Sequence, residues 1–246
     1  MNLVVANWKM NPGTIEEARV LASRVESGLL AVDRSRVETV LCPPFVFMPA
    51  IRHSMHFAAL GAQNVAAEKD GAFTGEVSAD QLAAAGVKYV IIGHSERRSG
   101  HGEDDETISK KVQQAIRSKI FPILCVGFGV KKGASLMVVK SAIKRQITAG
   151  LSEVSLGKAD LAVAYEPVWA ISHGLGTGRA VKPQHAAEVM TFIRGILPRA
   201  RLLYGGSVDR ANAASFAAEP VISGALVGGA SLDAAEFLQI IKAFSI

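Results

Sequence analysis

The chain has 246 residues, of which 49% are hydrophobic, 20% charged and 6% aromatic, a balance that excludes a disordered chain. Its length suits one α/β barrel of about 250 residues. The formal net charge of +5 favours acidic partners such as phosphorylated metabolites. Lys and Arg are scattered, however, with KSAIKRQ at 140–146 the densest stretch, and no basic arm or aromatic-studded basic strand points to nucleic acid.

The opening MNLVVANWKMN carries a strand at 3–6 and lacks both the basic start and the sustained apolar stretch of a secretory signal, so a cytoplasmic protein is expected. Thr14, Ile15, Glu16 and Glu17 have the capping-box spacing that opens a helix over 14–30. A strand at 38–41 is followed by a helical pattern at 45–55 and a strand at 59–62. Ser78 then caps a helix that Gly86 ends. Next come a strand at 89–92, a helix over 104–118, a strand at 121–126 and a helix over 135–149. The last units are strand 161–164 with helix 183–197, strand 201–203 with helix 209–217, and strand 225–227 with helix 233–243; Pro183 suits a first helical turn.

The strands lack polar alternation, which is the pattern of strands covered on both faces. Eight strand–helix units without a linker or a shift in composition predict a single (β/α)8 barrel spanning 1–246, with eight parallel strands and outer helices. The rival open sheet with a dinucleotide site finds no support: GLGTG at 174–178 has Arg179 where the last required glycine belongs. Likewise Ser152 stands where a phosphate loop ending in Gly157 and Lys158 needs its first glycine. No apolar run approaches about 18 residues, so no membrane span is expected. Cys42 and Cys125 both end apolar runs and read as buried free thiols.

In such a barrel the chemistry belongs where strands end at their carboxyl side. Strand one ends in Asn7, Trp8 and Lys9, strand four in Gly93 and His94, and strand six in Glu166. An ammonium, an imidazole and a carboxylate thus share one rim. Strands seven and eight end in glycine turns, YGGS with Ser207 and VGGAS with Gly228 and Gly229. Backbone N–H groups of such turns, uncovered by side chains, bind phosphate dianions. Glu96, Arg97 and Arg98 read as ion pairs that brace their loop. His53 and His56 have no acidic companion at ligand spacing, so no metal is expected, and no G-x-S-x-G elbow offers a serine nucleophile.

Through nearly its whole length the sequence resembles the triosephosphate isomerase family, in the strings ANWKMN, CPPF, GAQN, GAFTGE, IIGHSERR, AYEPVWAI, YGGSV and GALVGGASL. The resemblance implies interconversion of dihydroxyacetone phosphate and glyceraldehyde 3-phosphate through an enediolate, without a cofactor. It implies Glu166 as base, His94 as neutral electrophile, Lys9 as a positive charge near substrate oxygen and phosphate, and Asn7 as an orienting group. Phosphate contacts fall on Gly176, Ser207, Gly228 and Gly229, with Gly174 competing for the place of Gly176. Pro167, Val168 and Trp169 become a hinge leading into a lid.

Three features bear on how closely the chain follows that pattern. Ser172, His173, Gly174 and Leu175 lengthen the lid, and Arg179 replaces a lysine. Phe128 stands where the family has a glutamate touching the hinge tryptophan, so Phe128 is expected to pack on Trp169. The loop Gly71 to Glu76 matches the family's subunit-inserting loop and implies a homodimer. A phosphate-binding barrel paralogue with a diverged lid is the competing reading, and a barrel isomerase of another sugar phosphate a third; joint retention of Lys9, His94 and Glu166 separates the active enzyme from the first.

Overall fold

The computed structural model describes residues 1–154, 160–171, 178 and 180–246. Among them the strands β1 (Asn2–Asn7), β2 (Val37–Cys42), β3 (Ala59–Ala62), β4 (Tyr89–Ile92), β5 (Phe121–Val126), β6 (Ala162–Tyr165), β7 (Arg201–Tyr204) and β8 (Gly224–Val227) close into a parallel barrel in chain order. The helices α1 (Ile15–Gly28), α2 (Met48–Arg52), α3 (Ala79–Ala84), α4 (Ser95–His101), α5 (Asp105–Arg117), α6 (Leu136–Gly150), α7 (Pro183–Ile196) and α8 (Ala213–Ala217) lie in the connections between strands, and α9 (Ala234–Ala243) follows β8.

Strand alternation sorts the core into two layers. Leu3 and Val5 of β1 join Val40, Ile91, Ile123, Leu203 and Leu226 inside the barrel, whereas Val4 and Ala6 face the helices. Both layers are apolar, which explains why the strands read as continuous apolar runs. Cys42 and Cys125 are free and lie in the inner layer, where burial pushes both thiols well up; the Glu166 carboxylate adds to the effect at Cys125.

Closure depends on β1 and β8, paired from Leu3↔Gly224 to Ala6↔Val227. Gly224 has φ +144° there, and a Cβ at this position would collide with the Leu3 carbonyl oxygen, an immovable backbone atom. Gly224→Ala is therefore expected to cost about 2–4 kcal/mol and lower Tm by roughly 5–15 °C in thermal unfolding. An unchanged Tm would show that the closing pair tolerates displacement.

The helix starts follow their caps: Thr14 and Ser78 form complete capping boxes, and Asp104, Ser135 and Asp233 accept from the first turns of α5, α6 and α9. Two expected elements are shorter. The 45–55 pattern divides into a 3-10 turn, Phe45–Phe47, and α2, with Pro49 in the first turn of α2. The 209–217 helix begins only at Ala213, because Asp209 Oδ1 accepts from the N–H groups of Ala211 and Asn212, both at 2.9 Å, and holds that stretch as a turn. The helix α4, not expected from the sequence, occupies the GHSERR loop. No helix among the described residues is long and apolar enough to cross a membrane.

Candidate active site

Parallel closure brings the carboxyl ends of all strands to one rim, and the geometry there starts with β1. Asn7 Oδ1 accepts from the Lys9 N–H at 3.1 Å. Lys9 takes a left-handed backbone, φ +53°, which costs a non-glycine residue about 1–3 kcal/mol. Gln63 helps hold it, donating from Nε2 to the carbonyls of Lys9 (2.8 Å) and Cys42 (2.9 Å). Lys9 Nζ then meets Glu96 Oε1 at 2.6 Å.

At the end of β4, His94 caps α4: its Nδ1 accepts from the Glu96 N–H at 3.3 Å. A nitrogen that accepts carries a lone pair, so in the neutral ring the proton sits on Nε2. That Nε2 lies 3.3 Å from Glu166 Oε1. Glu166, at the end of β6, is 1% exposed and pinned by its backbone N–H to the Val126 carbonyl at 2.7 Å. Its Oε2 accepts from the Ser95 N–H at 2.9 Å, at the N-terminus of α4, where the helix dipole favours an anion. Its Oε1 has no hydrogen-bond partner among the described residues.

A cavity of about 510 Å³ opens beside these groups. Asn7, Lys9 and His94 form one wall. Gly206, Ser207, Gly228 and Gly229 form the other. Gly228 leads into a 3-10 turn, Gly229–Leu232, whose first N–H groups have no partner within the turn by construction. A Cβ on Gly228 would stand 3.3 Å from Lys9 Cε, so the missing side chain lets the ammonium approach the turn.

Six of the expected site residues, Asn7, Lys9, His94, Ser207, Gly228 and Gly229, thus share one cavity. Glu166 stands behind its wall, next to His94, with its carboxylate turned toward Ser95. Gly176 and its competitor Gly174, with the insertion Ser172 to Leu175 and Arg179, lie outside the described residues.

Room for the carboxylate to turn into the cavity depends on Gly205, where a Cβ would come within 3.0 Å of Glu166 Cγ and 3.2 Å of the Tyr165 carbonyl oxygen. Gly205→Ala is expected to lower kcat by about 10–100-fold, the scale of a 1 Å misplacement of a reacting group. Steady-state kinetics check this; wild-type kcat would mean the glutamate does not pass that position.

Two expectations change with the structure. Among the described residues no ring contact joins Phe128 to Trp169; the recorded ring pairs are Tyr89 with Phe121 and Tyr204 with Phe216. The turn is instead held by Gln146, which accepts from the Gly127 N–H at 2.8 Å and donates to the Phe128 carbonyl at 2.7 Å. The SERR run also divides. Arg97 pairs with Glu103, and Arg98 reaches Asp105 at 2.7 Å and the Gly93 carbonyl at 3.0 Å, so both brace the loop. Glu96 instead pairs with Lys9 at the cavity.

Sequence reasoning missed Gln63, Ser95 and Glu96 as partners of the site. GAQN and IIGHSERR contain all three, but a string of letters does not say which side chain or N–H points at Lys9 or Glu166.

Comparison with known proteins agrees with the geometry. A family profile described as "Triosephosphate isomerase" matches residues 2–244. Curated proteins named triosephosphate isomerase include one from Moorella thermoacetica, 44% identical over 254 residues that cover 98% of this chain and 97% of the relative. One from Paracidovorax citrulli is 41% identical over 250 residues (98% and 97%), and one from Carboxydothermus hydrogenoformans is 41% identical over 251 (97% of each).

Proposed function

The chain belongs to the triosephosphate isomerase family and is an isomerase of that type, and from that premise we propose that Glu166, His94 and Lys9 interconvert dihydroxyacetone phosphate and glyceraldehyde 3-phosphate in the cavity beside β1, β4 and β8. A proton on carbon next to a carbonyl is a weak acid, so its removal needs a base against the C–H and a donor for the oxyanion that develops. Glu166 takes the proton with its carboxylate after turning from Ser95 toward the cavity. His94, neutral, donates from Nε2 to the oxygen that becomes the enediolate. Lys9 supplies positive charge between that oxygen and the phosphate, and Asn7 orients the chain of the substrate. In the family a base and a neutral imidazole act together under a closing lid, and Glu166 and His94 match those residues.

The phosphate is held by main-chain N–H groups of Gly228 and Gly229 together with Ser207; Gly176 is the further contact the resemblance implies. It does not react, but binding it supplies energy for excluding water around Glu166. Acid–base help of about 10²–10⁴-fold and an oxyanion donor of about 10²–10³-fold combine multiplicatively at such a site. The observation that carries this reading is His94, whose Nδ1 accepts from the Glu96 N–H and whose Nε2 lies 3.3 Å from Glu166 Oε1, beside a cavity whose walls also hold Lys9 and the Gly228 turn. The purified chain should turn over glyceraldehyde 3-phosphate in a coupled assay with inorganic phosphate as a competitive inhibitor. Absence of turnover with phosphate still bound would favour the non-catalytic paralogue.

The chain is read as one domain, supported by the unbroken strand order from β1 to β8. It is also read as a cytoplasmic homodimer. The dimer is supported by apolar side chains exposed on the successive loops after β1, β2 and β3: Met10 at 93%, Val46 at 73% and Phe73, in the Gly71 to Glu76 loop, at 46%. Apolar side chains exposed on neighbouring loops of one rim fit burial against a second copy. Analytical ultracentrifugation at micromolar concentration should give a dimer that Phe73→Asp dissociates; a wild-type monomer would remove the proposal.

A further inference from the structure

We infer that Asn212 is a positioning residue for the phosphate cradle, acting through the Ser207 peptide. Asn212 immediately precedes α8, is half-buried, and is not part of the cavity wall. Its amide spans two backbone groups of the loop that is: Nδ2 donates to the Ser207 carbonyl at 3.2 Å, and Oδ1 accepts from the Asp209 N–H at 3.1 Å. A primary amide offers a donor and an acceptor on one planar group, so the pair of bonds fixes the loop's direction as well as its distance.

The significance of Ser207 lies in its other contacts. Its N–H and its Oγ both donate to the Ala170 carbonyl, at 3.0 and 2.6 Å. Ala170 ends the 3-10 turn Val168–Ala170, four residues beyond Glu166. Ser207 therefore joins the wall of the phosphate end to the segment that carries the base. Asn212 holds the carbonyl side of the same residue. Without it, the peptide between Ser207 and Val208 loses a restraint, and the cradle spends part of its time in orientations that do not match the ligand.

Asp104 makes the comparison. It caps α5, accepting from the Thr107 N–H at 2.8 Å, and it does not line the cavity, so its loss weakens a helix start without touching the Ser207 loop.

The proposal rests on the cavity being the phosphate-binding isomerase site. Wild-type turnover and phosphate inhibition test that reading, and the variants test Asn212 alone. Asn212→Ala should raise KM for glyceraldehyde 3-phosphate and Ki for inorganic phosphate together by about 3–10-fold, the range of one to two lost hydrogen bonds, with kcat within about threefold of wild type. Asp104→Ala should also lower Tm while leaving KM and Ki unchanged. A fall in Tm without any change in KM or Ki for Asn212→Ala would make Asn212 a turn-former only and overturn the proposal. Equal increases in KM for both variants would overturn it as well.

Discussion

Replacing Glu166 by Gln is expected to reduce kcat by about 10³–10⁴-fold, the upper part of the range for a positioned acid–base group, with KM moving less than about threefold. The amide has the volume of the carboxylate, and its oxygen can still accept from the Ser95 N–H, the bond that measures 2.9 Å here. Folding and the shape of the cavity are thus preserved. What disappears is the ability to take a proton from carbon, a loss confined to the transition state and so to kcat. At about 1.4 kcal/mol per tenfold, this assigns the carboxylate roughly 4–5.5 kcal/mol of barrier. A variant retaining kcat within tenfold of wild type would move the base to another residue.

His94→Asn is expected to lower kcat by about 10²–10³-fold, the cost of one oxyanion donor, with little change in Tm. The choice of Asn rests on the helix that His94 opens. Its Nδ1 accepts from the Glu96 N–H, and Asn is a good residue at that cap, so α4 should keep its start. The Nε2–H, on the far side of the ring, has no counterpart on the shorter side chain. Stability and catalysis are therefore separated by one substitution. Equal falls in Tm and kcat, or wild-type turnover, would count against the imidazole as electrophile.

Much of the fold was legible because its signals are local. The strands 59–62, 89–92 and 121–126 coincide with β3, β4 and β5. Capping boxes at Thr14 and Ser78 lie where the sequence spacing puts them, since a cap depends on groups three residues apart. Where reading failed, a local preference met a competing bond. The SERRSGH stretch has no apolar stripe, and its helix rests on the His94 cap and on Arg98, buried against Gly93 and Asp105. Residues 209–212 look helical, but the Asp209 carboxylate draws their N–H groups into a turn. Phe128 is expected beside Trp169 from the family's glutamate at that position, and that resemblance does not show the Gln146 bonds to Gly127 and Phe128 that hold the turn.

The sequence by itself determined the barrel, and it placed an ammonium, an imidazole, a carboxylate and two glycine turns at strand ends, because periodicity, caps and short motifs are written in neighbouring residues. Only the closed barrel decided how those groups are held. Lys9 meets Glu96 across 87 residues of chain, Gln63 reaches Lys9 across 54, and Ser95 receives Glu166 across 71. Such bonds exist only after eight strands have fixed their register and brought distant ends to one rim. The same closure stows the carboxylate against a helix N-terminus, which no reading of residue types along the chain could place.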